Sequence, residues 1–131
     1  VRTAREAPTM IVCGSSASSD RRAQLAAAGC EVLHFSDCTP GQRMERLLQE
    51  LGKRRATNLL VEGGGKTFGL LFDCEDINEV HAFIAPILVG GIGSPTPYDS
   101  EGRKTMSDRL ILVGMETQRL GPDIYVRGRL S

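Results

Sequence analysis

Short β-branched and apolar runs alternate along this chain with longer stretches whose apolar residues recur every three or four positions. Thr9 to Cys13 (T-M-I-V-C) is a compact apolar run that meets Gly14-Ser15-Ser16 at once, as a strand meeting a turn would. Ser18 or Ser19 can cap a helix through the alanine-rich Ala23–Ala28, and Gly29 is its natural C-terminal stop. Glu31 to Phe35 (E-V-L-H-F) reads as a second strand. Thr39-Pro40-Gly41-Gln42 then joins a cap, a proline at the first helical position and a glutamine at capping-box distance. Behind it Met44, Leu47, Leu48 and Leu51 fall at i, i+3, i+4 and i+7, one apolar stripe on a helix. Asn58 to Val61 (N-L-L-V) reads as a third strand running into Glu62-Gly63-Gly64-Gly65, and Phe68, Leu71 and Phe72 supply a further helical stripe ending near Asp73-Cys74. The first half is therefore β-α-β-α-β-α, the signature of parallel strands joined by helical crossovers.

The second half changes character. Glu79 to Ile87 (E-V-H-A-F-I-A-P-I) predicts a strand closed by Pro86, and a long loop from Gly90 to Ser107 follows. Leu110 to Met115 predicts another strand, and Gly121-Pro122-Asp123 a turn. Ile124, Val126 and Leu130 alternate with Tyr125, Arg127 and Arg129, as in a half-exposed strand. Two strands joined by a short turn pair antiparallel. The pattern thus predicts an α/β fold: a mixed, largely parallel sheet flanked by helices, with an antiparallel C-terminal hairpin.

Composition narrows what such a fold can be for. The 131 residues are one domain's worth of chain, and 16 basic against 16 acidic residues leave a formal net charge of zero. That balance argues against nucleic acid or an anionic membrane as partner. No apolar run approaches the roughly 18–20 residues needed to span a bilayer. Val1-Arg2-Thr3-Ala4-Arg5-Glu6 lacks the pattern of a secretion signal. Cys13, Cys30, Cys38 and Cys74 form no C-x-x-C pair, and neither they nor His34 and His81 show metal-site spacing, so no metal is expected. Reduced, largely buried thiols in a soluble cytoplasmic protein are the reading that fits.

The chemistry concentrates in Leu59-Leu60-Val61-Glu62-Gly63-Gly64-Gly65-Lys66-Thr67-Phe68-Gly69. A strand, three glycines and a helix start would expose free N–H groups at the positive end of a helix, where a phosphate binds. The carboxyl end of a parallel strand is also where open α/β sheets take ligands. A glycine-rich turn needed only for packing is the competing reading, and Glu62 beside it favours a site. Neither familiar motif holds: a P-loop needs glycine where Leu60 stands, and Phe68 occupies the third-glycine position of a dinucleotide fingerprint begun at Gly63 and Gly65. Glu62 can complement the helix dipole or accept hydrogen bonds from a heterocycle; Lys66 can neutralise a phosphate or simply be solvated. His81 is expected to pack on or beside the sheet, with no carboxylate placed to recruit it. Arg21-Arg22 and Lys53-Arg54-Arg55 read as solvated helix faces, the alternative being contact with an adenosine 2′-phosphate.

With those residues in view, the run 59–68 and the run Asn78 to Gly91 resemble the pyrimidine reductase of riboflavin biosynthesis, the reductase domain at the C-terminus of bifunctional deaminase-reductases. Ser94-Pro95-Thr96-Pro97 and Gly121 to Val126 are similar to that family too, so the resemblance runs from about Pro8 to the end. It implies a dihydrofolate-reductase-like fold and NADPH-dependent reduction of the ribosylamino group of a 5-amino-6-(phosphoribosylamino)uracil-type intermediate to ribitylamino. Glu62 matches the family's substrate-contacting glutamate. Gly63, Gly64, Gly65, Lys66, Thr67, Phe68, Gly69 and Leu70 match the segment that wraps the cofactor's phosphates. The resemblance also implies a homodimer and a small phosphorylated pyrimidine as substrate. It singles out no catalytic acid or nucleophile, so rate would come chiefly from positioning two reactants.

The family's upstream strands, with an Ala-Met-Ser-x-Asp-Gly-like segment and phosphate-holding arginines, have no counterpart in this sequence. Nor does the zinc signature of the partner deaminase domain. Residues 1–131 are thus expected to be the C-terminal portion of one reductase domain, incomplete at its N-terminal side and inactive alone. Two other functions fit the same residues: a dihydrofolate-reductase-like reductase with another substrate, and a non-catalytic nucleotide-binding or dimerisation module.

Overall fold

The computed structural model describes residues 2–131. The chain divides into two compact units, the first ending at Leu60 and the second beginning at Val61.

In the first unit β1 (Met10–Cys13) and β2 (Glu31–His34) pair in parallel, Met10 opposite Glu31 and Cys13 opposite His34. Helix α1 (Ser19–Ala27) makes the crossover. Of the two candidate caps, Ser18 is the one used, its hydroxyl accepting from the Arg21 N–H at 3.3 Å. Gly29 follows the helix with φ +98°, a left-handed conformation that ends α1 at little cost in glycine. Helix α2 (Pro40–Lys53) starts as its sequence dictates: the Thr39 hydroxyl accepts from the Gln42 N–H at 3.3 Å, while the Gln42 side chain accepts from the Thr39 N–H at 2.9 Å. Met44, Leu47, Leu48 and Leu51 are half-buried while Glu45, Arg46 and Gln49 are exposed, the expected one-sided face. Ala4 and Cys30 are the most enclosed apolar residues of this unit.

The second unit begins with the glycine-rich run and α3 (Gly65–Cys74), whose Leu71 is its buried anchor. Its sheet contains β3 (Glu79–Ile84), β4 (Leu112–Leu120) and β5 (Asp123–Leu130) in the order β3-β5-β4, all antiparallel. The hairpin turns on Gly121, φ +61°, and Pro122, with Leu120 opposite Asp123. A left-handed first residue suits the twist of the strands it joins.

The α/β class, the parallel pairing and the antiparallel C-terminal hairpin are therefore as the pattern predicts, but three strands differ in extent. Asn58 to Val61 forms no ladder among the described residues, and Leu59 and Leu60 stand exposed. A run with strand composition becomes a strand only where another edge accepts its N–H and C=O groups, and here none does. The parallel sheet accordingly has two strands, β1 and β2, and the antiparallel sheet is a separate one of three. β3 ends at Ile84 rather than Ile87, since Pro86 has no N–H to give a ladder. β4 runs on past Met115 to Leu120 because β5 supplies partners for its polar half, after a bulge between Val113 and Glu116 where Gly114 takes φ +59°.

Candidate functional site

The glycine-rich run meets α3 at Gly64, which caps the helix with extended backbone (φ −94°, ψ 176°) and no side-chain partner. Thr67 and Phe68 donate their N–H groups to the Gly64 carbonyl at 3.0 and 3.2 Å. The N–H groups of Gly65 and Lys66 have no acceptor among the described residues, as expected of a helix's first turn. They point with the positive end of the helix dipole.

Facing them is the loop that follows β3. Gly64, Gly65, Lys66 and Thr67 on one side, and Gly93, Ser94, Pro95, Thr96 and Asp99 on the other, enclose a cleft of about 600 Å³. A Cβ built on Gly64 would touch nothing within 4 Å, so this glycine leaves its side of the cleft open to a ligand. Gly63 is different: Thr67 packs against it, with its Cβ 3.1 Å from where a side chain would begin. Lys66 is exposed at the mouth and Asp99 supplies the opposite charge. Unpaired amides, an open glycine and an exposed cation suit phosphate oxygens.

Of the residues singled out by sequence, Gly64, Gly65, Lys66 and Thr67 are thus brought together. Glu62 precedes them, exposed and without hydrogen bond or ion pair among the described residues. Gly63, Phe68, Gly69 and Leu70 do not line the cleft, and Gly69 is buried. Sequence reasoning gave no site role to Gly93 or Asp99, and Ser94, Pro95 and Thr96 entered it only as part of the family resemblance. The available signal was the glycine- and proline-rich composition of a loop returning after β3.

His81 departs from its expectation. Glu79, two residues before it on the same face of β3, is the carboxylate thought absent: its Oε1 lies 2.9 Å from His81 Nε2. The other ring nitrogen, Nδ1, lies 2.7 Å from the Tyr125 hydroxyl. Arg127 and Arg129 on β5 approach the same carboxylate at 3.5 and 3.4 Å, and the Tyr125 ring in turn lies tilted beside that of Phe83, 5.0 Å between centres. Strand alternation made the Glu79–His81 pair legible, because residues i and i+2 share a face.

The arginine-rich pieces are mostly engaged within their own unit. Arg54 donates to Glu31 at 2.7 Å and to Glu50 at 2.9 Å. Those hydrogen bonds lower the Glu31 carboxyl below its ordinary value and raise the already high Arg54 value further. Arg22 bonds His34 across the crossover. Among the described residues no three His, Cys, Asp or Glu side chains cluster as a metal site, and no helix is long and apolar enough to cross a membrane.

The fold and cleft define an α/β protein with a glycine-lined cleft at a helix N-terminus. The chain belongs to the RibD C-terminal domain family, whose model matches residues 1–126. It is 30% identical over 124 residues to the riboflavin biosynthesis protein RibD of Synechocystis, covering 95% of this chain and 33% of that protein. It is 30% identical over 112 residues to a protein of Aquifex aeolicus named 2,5-diamino-6-ribosylamino-4(3H)-pyrimidinone 5′-phosphate reductase, covering 86% of this chain and 49% of that one. The chain therefore spans about a third and about half, respectively, of these relatives. Acinetobacter baumannii RibD superposes with a TM-score of 0.73 at 22% identity, over 93% of this chain and 31% of that structure. The fold is accordingly the dihydrofolate-reductase-like arrangement of RibD reductase domains.

Proposed function

We propose that residues 1–131 form the C-terminal portion of a reductase domain of riboflavin biosynthesis, which reduces the ribosylamino group of a 5-amino-6-(phosphoribosylamino)uracil-type intermediate to ribitylamino. The observation that carries this reading is the cleft at the start of α3, in a chain of the RibD C-terminal family. NADPH is the cofactor, held through its phosphates by the Gly65 and Lys66 amides, with Lys66 as counter-charge and Gly64 leaving room for close approach. Thr67 holds Gly63 and so fixes the entry of the loop. Phe68, Gly69 and Leu70 shape the helix behind it. Glu62, with its carboxylate uncommitted, accepts hydrogen bonds from amino or imide groups of the pyrimidine. When bound, the dihydronicotinamide supplies the hydride; the chain's own contribution is to place two ligands against each other. The protein works in the cytoplasm as a homodimer, the large apolar side chains exposed on its antiparallel sheet being the surface for a second copy.

Titration of the full chain with NADPH, followed by nicotinamide fluorescence, tests the cofactor site. Gly64→Asp should weaken binding by at least about tenfold, because a carboxylate would stand where phosphate oxygens bind. Equal affinity in the variant would remove the cleft as the phosphate site. Glu62→Ala should abolish turnover in a complete reductase while leaving NADPH affinity intact; unchanged turnover would end the substrate role of Glu62.

A further inference from the structure

Gly65, Gly69 and Phe72 fall at i, i+4 and i+7 of α3, one stripe down the helix, and residues 96–103 lie along it as a strap. A Cβ on Gly65 would stand 2.8 Å from the Thr96 carbonyl oxygen, and one on Gly69 only 2.5 Å from the Asp99 carbonyl oxygen. The Asp99 N–H donates to the Gly65 carbonyl at 2.9 Å. Further down, the Tyr98 ring lies 5.0 Å from the Phe72 ring. Arg103 stands 5.1 Å over that ring's centre, donates to the Phe72 carbonyl at 3.3 Å and pairs with Glu75 at 3.1 Å. The strap is fastened at every turn of the helix.

The glycines of this run therefore do two different things. Gly64 faces open space, whereas Gly65 and Gly69 face the strap's backbone. Backbone cannot swing aside as a side-chain end can, so a methyl at Gly69 would force the strap out by roughly an ångström to restore van der Waals contact. The strap's upstream end, Gly93 to Thr96, is the wall of the cleft opposite the Gly65 and Lys66 amides. We propose that Gly65 and Gly69 are positioning residues, which seat the strap on α3 and so hold that second wall at the distance a dinucleotide's phosphates require. This inference rests on the cofactor reading above. It assigns Gly69 a role through the strap rather than through the cofactor.

The chain contains no tryptophan, so Tyr98→Trp puts a single emission reporter on the strap beside Phe72. In that background Gly69→Ala should red-shift the tryptophan emission as the strap lifts, and raise the NADPH Kd by at least about tenfold. Gly64→Ala should leave the emission where it was while weakening NADPH, since its methyl enters the cleft and not the strap. Arg103→Gln, which loosens the strap's far end without altering α3, should produce the two Gly69→Ala changes to a smaller degree. It decides the matter if circular dichroism shows Gly69→Ala unfolded. An emission shift with unchanged NADPH affinity in Gly69→Ala or Arg103→Gln, or no shift in either, overturns the positioning role while the cofactor site stands. A parent chain that binds no NADPH overturns the cofactor reading, and this proposal with it.

Discussion

Asp99 is a carboxylate lining a cleft proposed to hold phosphates, and Lys66 across from it carries the compensating charge. Its backbone N–H is committed to the Gly65 carbonyl, so backbone and side chain can be separated by mutation. Asp99→Asn keeps that bond and the side-chain size while removing a like charge. NADPH should then bind several-fold tighter, the gain shrinking as salt screens the charge. Fluorescence titrations at low and high ionic strength check this; an affinity indifferent to both changes would put the phosphates elsewhere. Glu31 offers a second test at the same scale. Its carboxyl is lowered from the ordinary 4.5 by the hydrogen bond from Arg54, so the folded form holds its proton less tightly than the unfolded chain. The resulting stability is present above that ordinary value and is lost as pH falls through the folded one. Thermal melts below neutral pH should therefore decline less steeply in Glu31→Gln than in the parent, and parallel acid limbs would dismiss the pair as a contributor.

Among the elements, those determined by neighbours in sequence were the legible ones. Helix α2 is the clearest case, since its capping box, proline and apolar stripe all lie within Thr39–Leu51. Thr39→Ala removes the hydroxyl that accepts from Gln42 and should cost about 1 kcal/mol, measured as a lower urea midpoint with unchanged slope. A cap that contributed nothing would leave the midpoint in place. Elements determined by distant partners were legible only in part. Asn58 to Val61 has the composition of a strand, but composition carries no information on whether an edge waits for it. β4 extends beyond its apolar run because the ladder holding Glu116 to Leu120 is supplied by β5. The glycine-rich side of the cleft stands out in the sequence, whereas its second wall does not. The contacts of Gly65 and Gly69 are to residues about thirty positions later, and a glycine's sequence context does not distinguish open space from a neighbour's backbone.

At the scale of the whole molecule, the feature that asks for an explanation is apolar surface. Phe83 is 67% exposed, Ile84 53%, Met115 61% and Ile124 49%, all on the antiparallel sheet. Ile84 and Ile124 are register partners on β3 and β5, so they form one patch and not two isolated side chains. The outer edges of β3 and β4 are also unpaired among the described residues, leaving N–H and C=O groups able to meet another strand. Adjacent exposed apolar groups beside open edges favour self-association over a monomer. Sedimentation velocity should accordingly show mass rising toward a dimer with concentration. Ile84→Lys combined with Ile124→Lys should shift that equilibrium toward monomer, since two ammonium groups would have to be desolvated in the interface. Because both side chains are already half in water, the double variant should keep the parent's melting behaviour at concentrations where the parent is monomeric. Its NADPH affinity should stay unchanged, the cleft being built from α3 and the loop after β3. A parent that remains monomeric at every concentration would refute the homodimer and leave this patch to a different kind of partner. A double variant that associates as the parent does would keep the dimer and move its interface off this face of the sheet.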